Sequence, residues 1–483
     1  MPRNPFRYLQ PVAPEAFLGR WPLVKRIALD LLLDEGDSHA IIAGRRCGKS
    51  SLLNALAHQL RQPSTTDAGD WLALPLHLDF KAVALTSVEA FFAYVLTEVR
   101  DRVDADAVYR PADAWPTPVR LEADWFEKLA AAPGLSLRDF NRALGYMLKQ
   151  LDTTSAPVRL VLLLDEVDET LDQSWTETLF NQLRALIYSS ELKERVRLVL
   201  TGSRRFLDQV NMRGSPLWNV LKLHYLAVMD ETAIGQLCAR AAGLPVVAAQ
   251  AVWQQSGGHP FVAQYLLHHV WEQTAADFTK ADPALLDRLS ARFQHEQLFD
   301  LEGWAHAIEA AGLRTYALLP APPDWIEESE LVTAIADPTL NLKRGLIALC
   351  YHGLAAHDEG WAHYQRTGAL FKQWFDDQGM RYLTEIRSNE PSSPLPKLRA
   401  ALASLYPEAN SALRIAEDAS LPTKSITFGG NATNLWHNIL AEAQKHQNAI
   451  ARLTQLALED YPDNPLLRDA AHPYFDTQKT GKG

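Results

Sequence analysis

Three groups of residues have types and spacing that could do chemistry. The first is Ala43-Gly44-Arg45-Arg46-Cys47-Gly48-Lys49-Ser50-Ser51, set between the apolar Ile41-Ile42 and the apolar Leu52-Leu53. Small residues let successive backbone N–H groups converge on phosphate oxygens, and a following helix N-terminus adds its positive end. Lys49 is then placed to reach the β- and γ-phosphates of a nucleotide, and the Ser50 hydroxyl to ligate Mg²⁺. This is the spacing of a phosphate-binding loop in which Ala43 replaces the usual first glycine.

The second group is Asp165-Glu166, following the apolar run Leu160 to Leu164. Carboxylates at the C-terminal edge of a buried strand sit where α/β sheets bind ligands. Asp165 would hold Mg²⁺, usually through water, and Glu166 would orient and deprotonate an attacking water. The bland alternative is a solvated loop or a helix cap. The third group is Thr201-Gly202-Ser203-Arg204-Arg205. Thr201 or Ser203 is expected to report on the γ-phosphate. Arg204, ahead of Arg205, either stabilises transition-state charge in its own or a neighbour's site or pairs with a surface acid.

Positioning these groups requires a parallel sheet with helices on both faces. Strands are expected at His39 to Ala43, Trp71 to Phe80, Arg159 to Asp165, Val196 to Thr201 and Leu221 to Leu226. Helical apolar spacing runs over Leu23 to Leu33, Ser51 to Leu60, Ser87 to Arg100 and Leu137 to Leu151. That alternation predicts an α/β P-loop domain over residues 1–228. Residues 103–133, rich in Pro, Ala and Trp, are expected to be an insertion.

From Asp230 the pattern becomes helical, giving an expected helical lid over 229–296. Its helices are Ala233 to Ala242, Val246 to Gln255 and Phe261 to Glu272, with Ser256-Gly257-Gly258-His259-Pro260 as a tight turn. Within 297–380, Leu331 to Ile335 and Leu342 to Cys350 precede a short two-stranded wing over Gly353 to Gln365, the layout of a winged-helix domain. A DNA-reading second helix should carry several cations. This one offers mainly Lys343 and Arg344, which favours a protein-packing role. Residues 381–396 read as a linker, 397–475 as a small all-α bundle, and 476–483 as a disordered tail. In the bundle Trp436, Ile439, Leu440 and Ala443 share one helical stripe.

A net charge of −11, from 47 basic against 58 acidic residues, argues against non-specific nucleic-acid binding by the whole surface. Cys47, Cys238 and Cys350 are scattered and show no CxxC or Cys/His ligand spacing, which argues against a disulfide scaffold and a zinc site. Cys47 could be a redox-sensitive thiol at a helix N-terminus or a neutral loop filler. No signal peptide or membrane span is read, so a cytoplasmic location is expected.

Residues 17–376 resemble the STAND (signal-transducing) and archaeal-type AAA+ ATPases. The resemblance rests on the phosphate loop, Asp165-Glu166, Ser215-Pro216-Leu217-Trp218-Asn219 and Gly258-His259-Pro260. It implies ATP and Mg²⁺ as cofactors, slow regulatory hydrolysis and ATP-dependent homo-oligomers. It also implies that Gly19-Arg20 lies beside the adenine, that the His259-Pro260 turn contacts the nucleotide, and that the winged helix serves as a lid. No superstructure-forming repeat array accompanies it.

Residues 395–467 are similar to the first-described effector-associated domains, bacterial death-like adaptors. Leu405-Tyr406-Pro407, Ile426 to Asn431, Leu435 to Leu440 and Leu456 to Pro462 carry that similarity. It implies pairing with a related domain on an effector, such as a protease, in immunity against phage. The expected function is therefore an ATP-dependent signalling switch that recruits an effector, with nucleic acid an unexpected partner. The rivals are a DNA-acting AAA+ ATPase and a nucleotide-binding scaffold without turnover.

Overall fold

Strands β1 (Ser38–Ile42), β2 (Leu72–Asp79), β3 (Val158–Asp165), β4 (Val196–Gly202) and β5 (Leu221–Tyr225) make one sheet in the order β2-β3-β4-β1-β5, with every neighbouring pair parallel. The computed structural model describes residues 4–62, 71–105, 135–152, 157–212, 214–335, 341–379 and most of 395–471. The expected insertion falls almost wholly outside the described residues. So do the linker, except Leu395 and Pro396, and the C-terminal tail.

β3 shows why the sheet is covered on both sides. All eight of its residues are buried. Successive side chains point to opposite faces. Val161 and Leu163 join Ile41, Val199 and the helices Trp21–Leu32 and Lys49–Arg61 on one side. Leu160, Leu162 and Leu164 join Leu198, Leu200 and the helices Val88–Ala105, Leu137–Leu151 and Thr176–Tyr188 on the other. The pairing places β4 between β1 and β3, with Ile42 beside Gly202 and Leu164 beside Leu200. Three chemistry-bearing strand ends therefore meet at the carboxyl edge.

Helices Glu231–Ala239, Val246–Ser256 and Pro260–Gln273 follow, close to the expected bounds. Next come Pro283–Glu296 and the long Leu298–Leu318, whose helical path is broken at Glu309 (φ 58°, ψ −179°), a break that apolar spacing does not reveal. The following unit has helices Glu328–Ile335 and Leu342–Tyr351, then the antiparallel strands β7 (Ala355–His357) and β8 (His363–Arg366). Besides the expected hairpin there is a third strand, β6 (Ile326–Glu327), paired with β8. Two residues are too few to show any periodicity in sequence.

The chain divides into two compact units, Met1–Leu383 and Thr384–Gly483. The second has helices Leu395–Leu405, Ala409–Asp418, Ala432–Ala443 and Ala449–Asp460. The expected stripe of Trp436, Ile439, Leu440 and Ala443 is buried with Leu398, Leu402 and Leu453. Tyr406 adds a polar tie: its carbonyl accepts from Trp436 Nε1 at 3.0 Å, and its hydroxyl donates to Asp460 at 2.9 Å. Among the described residues no helix is long and apolar enough to cross a membrane.

Candidate functional site

The loop after β1 turns on two left-handed residues, Arg46 (φ 66°) and Gly48 (φ 91°), before the helix Lys49–Arg61 begins. Glycine meets that conformation at Gly48 without strain. Gly44 is fixed by contact instead, since a methyl there would lie 2.3 Å from His352 Nδ1. Lys49 is buried, and its Nζ lies 3.3 Å from Ala43 O, 3.2 Å from Gly44 O and 3.9 Å from Glu166 Oε1. The lysine thus sits between the loop and the carboxylate that follows β3.

Asp165 and Glu166 lie in environments that drive them apart. Burial would raise the Asp165 carboxyl, but hydrogen bonds with His77, Ser50 and Thr201 outweigh it and hold Asp165 below the usual carboxylate range. Burial pushes Glu166 up; Lys49 opposes this while Asp165 and Asp168 add to it. A carboxylate held low beside one pushed up is the kind of pairing that can divide metal binding from base chemistry between two acids. Ser50 and Asp165 form an adjacent pair of hard oxygen donors, which suits Mg²⁺. Those two residues would hold the ion, whose chemistry is to neutralise phosphate charge. Glu166 is left-handed (φ 54°), and its N–H points to Asp165 Oδ1 at 3.1 Å and Thr201 Oγ1 at 3.2 Å.

Thr201 and Ser203 part company. Thr201 donates to Asp165, between the loop and the carboxylates. Ser203 faces away from them: its N–H and hydroxyl both reach Asp168 at 2.6 Å, and it caps the helix Arg204–Asn211 by accepting from Arg205 N. Arg204 is buried and directed at Glu309 (3.3 Å) and Asp208 (3.7 Å), not at the phosphate loop. Arg205 pairs with Asp172 at 2.8 Å. The geometry therefore favours Thr201 as the sensor candidate and gives Arg204 a packing partner.

A cleft of 410 Å³ opens over the loop. Arg45, Arg46, Cys47, Gly48, Lys49, Ser50, Ser51 and Glu166 line one end, and Arg20, Met229, Leu237, Pro260 and Phe261 help line the rest. Arg20 Nη1 donates to Cys47 O at 2.7 Å and so braces the loop. Gly19 is packed against the helix Glu231–Ala239, where a methyl would lie 2.6 Å from Ala233 Cβ. Pro260 lines the cleft but His259 does not. His259 is buried behind the loop, its Nε2 3.7 Å from Cys47 Sγ. Burial pushes the Cys47 thiol up, opposite to what a redox-sensitive thiolate needs.

Several functional neighbours carry no local signal. The segment Arg7 to Val12 borders the cleft, and Val12 N–H donates to Ser51 Oγ at 3.1 Å. Asp300 faces the loop arginines, 3.3 Å from Arg45 and 3.5 Å from Arg46. Tyr351 O accepts from Gly44 N–H at 2.8 Å and lies 3.5 Å from Cys47 Sγ. His352, buried against Gly44, is pushed down by burial to about 3, as is His259. Both rings are neutral at the back of the loop. His77, 3.6 Å from Asp165, was legible only as a polar residue in an apolar strand.

With this geometry in hand, residues 11–281 match the family described as AAA-like domain, and residues 391–475 match effector-associated domain 1. No curated protein sequence matches the chain. Among solved structures, the Walker-type ATPase of Pyrococcus abyssi is similar with a TM-score of 0.51 and 14% identity, over 76% of this chain and 99% of that one. The Orc2 protein of Aeropyrum pernix, in ADPNP-ADP complexes, gives 0.45 and 14% over 80% and 98%. The Orc1 protein of the same organism, in complex with DNA, gives 0.38 and 12% over 77% and 94%. At 14% identity the likeness to the Walker-type ATPase is one of fold.

Proposed function

The chain belongs to the AAA-like domain family, and from that premise we propose that it is an ATP-dependent signalling switch that recruits an effector through its C-terminal domain. Mg-ATP occupies the cleft, with Lys49 and the loop N–H groups on its phosphates and Ser50 and Asp165 toward the ion. Glu166 is the base for the attacking water, and Thr201 senses the γ-phosphate. The effector-associated domain, read as a death-like bundle, pairs with a related domain on a protease or similar effector. The setting is a bacterial conflict system, in which clustering of several chains would concentrate the effector.

One observation carries the switch reading: the unit with helix Leu342–Tyr351 touches the phosphate loop directly. Gly44 N–H donates to Tyr351 O, and His352 fills the space beside Gly44. We read this unit as the winged helix of the resemblance, acting as a lid. A ligand shifts such an equilibrium only by binding one arrangement better than the other. A phosphate that draws on this loop therefore competes with the lid contact.

The DNA-acting rival draws less support. Arg344, one of the two cations that a DNA-reading helix would offer, is paired with Asp208 at 3.0 Å and faces Glu309 at 3.8 Å. The test is ATP hydrolysis by the full chain against Glu166→Gln, alongside a DNA shift at several salt concentrations. Loss of a positioned base should slow turnover by about 10²- to 10⁴-fold. Equal, near-zero rates would favour the scaffold, and tight DNA binding that falls steeply with salt would favour the rival.

A further inference from the structure

The helix Pro260–Gln273 carries His268, His269 and Glu272, none of which lines the nucleotide cleft. Their ligand atoms lie within 4.8 Å of one another. Glu272 Oε2 is 2.7 Å from His269 Nδ1, and Glu272 Oε1 is 3.4 Å from His268 Nε2. Adjacent ligand atoms around a tetrahedral zinc ion, with bonds of about 2.0–2.1 Å, stand on the order of 3.4 Å apart. The His268–Glu272 separation already matches that spacing, while the shorter His269–Glu272 contact is a hydrogen bond donated by Nδ1–H, whose proton a metal would displace.

Hydrogen bonding on the far side of His268 sharpens the point. Its Nδ1 lies 2.8 Å from Phe6 O and 3.1 Å from Asn4 Nδ2. A carbonyl oxygen can only accept, so the closer contact places the proton on Nδ1. In the neutral ring Nε2 then presents a lone pair toward a carboxylate oxygen. Two acceptors facing each other call for a cation between them, either a proton on Nε2 or a metal ion. A histidine whose second nitrogen donates to a backbone carbonyl is also the usual outer shell of a metal-bound imidazole. Arg292 is paired with Glu296 at 2.6 Å.

We propose that His268 Nε2, His269 Nδ1 and the Glu272 carboxylate form a zinc site, with water as the fourth ligand. Two imidazoles and one carboxylate suit Zn²⁺ and not Mg²⁺, which prefers oxygen donors. The site would also fasten the N-terminal segment. Asn4 Nδ2 donates to His268 O at 3.2 Å, and the Tyr8 ring lies 5.1 Å from that of His268 and 5.7 Å from that of His269. This segment continues into the residues that border the nucleotide cleft. The ion would hold in place one wall of a site that it does not itself enter.

The experiment titrates the metal-stripped full chain with Zn²⁺ against a chromophoric zinc indicator. Glu272→Gln and His268→Gln are compared with wild type, and circular dichroism checks that each variant is folded. Glu272 is 51% exposed and His268 25%, so both substitutions fall at accessible positions. The expected result is one tight zinc per chain in wild type, weakened by about 100-fold or more in each variant, since each removes one of three protein ligands. Excess Mg²⁺ should not displace it. Equal zinc affinity in wild type and both folded variants would overturn the proposal, as would the absence of a tight zinc in wild type.

Discussion

Two neutral histidines packed behind the phosphate loop make the AAA-like unit sensitive to acid in a calculable way. His259 and His352 are both buried, and burial pushes each down to about 3 from 6.5. Between those values the unfolded chain takes up protons that the folded chain refuses, so stability rises with pH across that window. The contribution is complete above about pH 6.5 and lost progressively below it. At pH 5.5 each unfolded histidine near its ordinary value is about ten-elevenths protonated, a loss of about 1.4 kcal/mol, or about 3 kcal/mol for the pair. Urea unfolding of the full chain at pH 7.5 and 5.5, followed by tryptophan fluorescence, measures it. His259→Gln/His352→Gln should lose about 3 kcal/mol less than wild type over that interval, whatever its starting stability. An identical pH dependence in the two proteins would refute the reasoning.

Two further substitutions separate the residues after β4. Ser203→Ala removes a helix cap and a hydroxyl bonded to Asp168, so it should cost about 1–2 kcal/mol in stability, read by denaturation, with ATP affinity unchanged. Thr201→Val removes the donor to Asp165 beside Glu166; it should slow hydrolysis while leaving nucleotide binding measurable by fluorescence titration.

The parts of the site legible in sequence are those made by neighbours in the chain. A buried strand followed by small residues and Lys49-Ser50, or by Asp165-Glu166, declares itself because few residues separate cause from effect. A polar residue after β4 could be placed because the parallel sheet sets that strand between the other two, but Thr201 and Ser203 could not be told apart. Ser203 and Arg204 were ambiguous for the same reason reversed. Their partners, Asp168 and Glu309, lie 35 and 105 positions away. The back of the loop was not legible at all: Cys47 and Tyr351 are 304 positions apart, and a contact made by a backbone carbonyl leaves no mark on residue type. The bundle's core was readable, since Trp436, Ile439, Leu440 and Ala443 repeat at helical spacing.

The central claim is that nucleotide bound at Lys49 and Glu166 controls what the C-terminal domain can recruit. The most direct measurement is capture, by the full chain, of a partner bearing an effector-associated domain encoded in the neighbouring genes, compared in ATP and in ADP. The account predicts affinities differing by about tenfold or more, a coupling of about 1.4 kcal/mol, and no difference for Lys49→Ala. Equal capture in both nucleotides by wild type would contradict it.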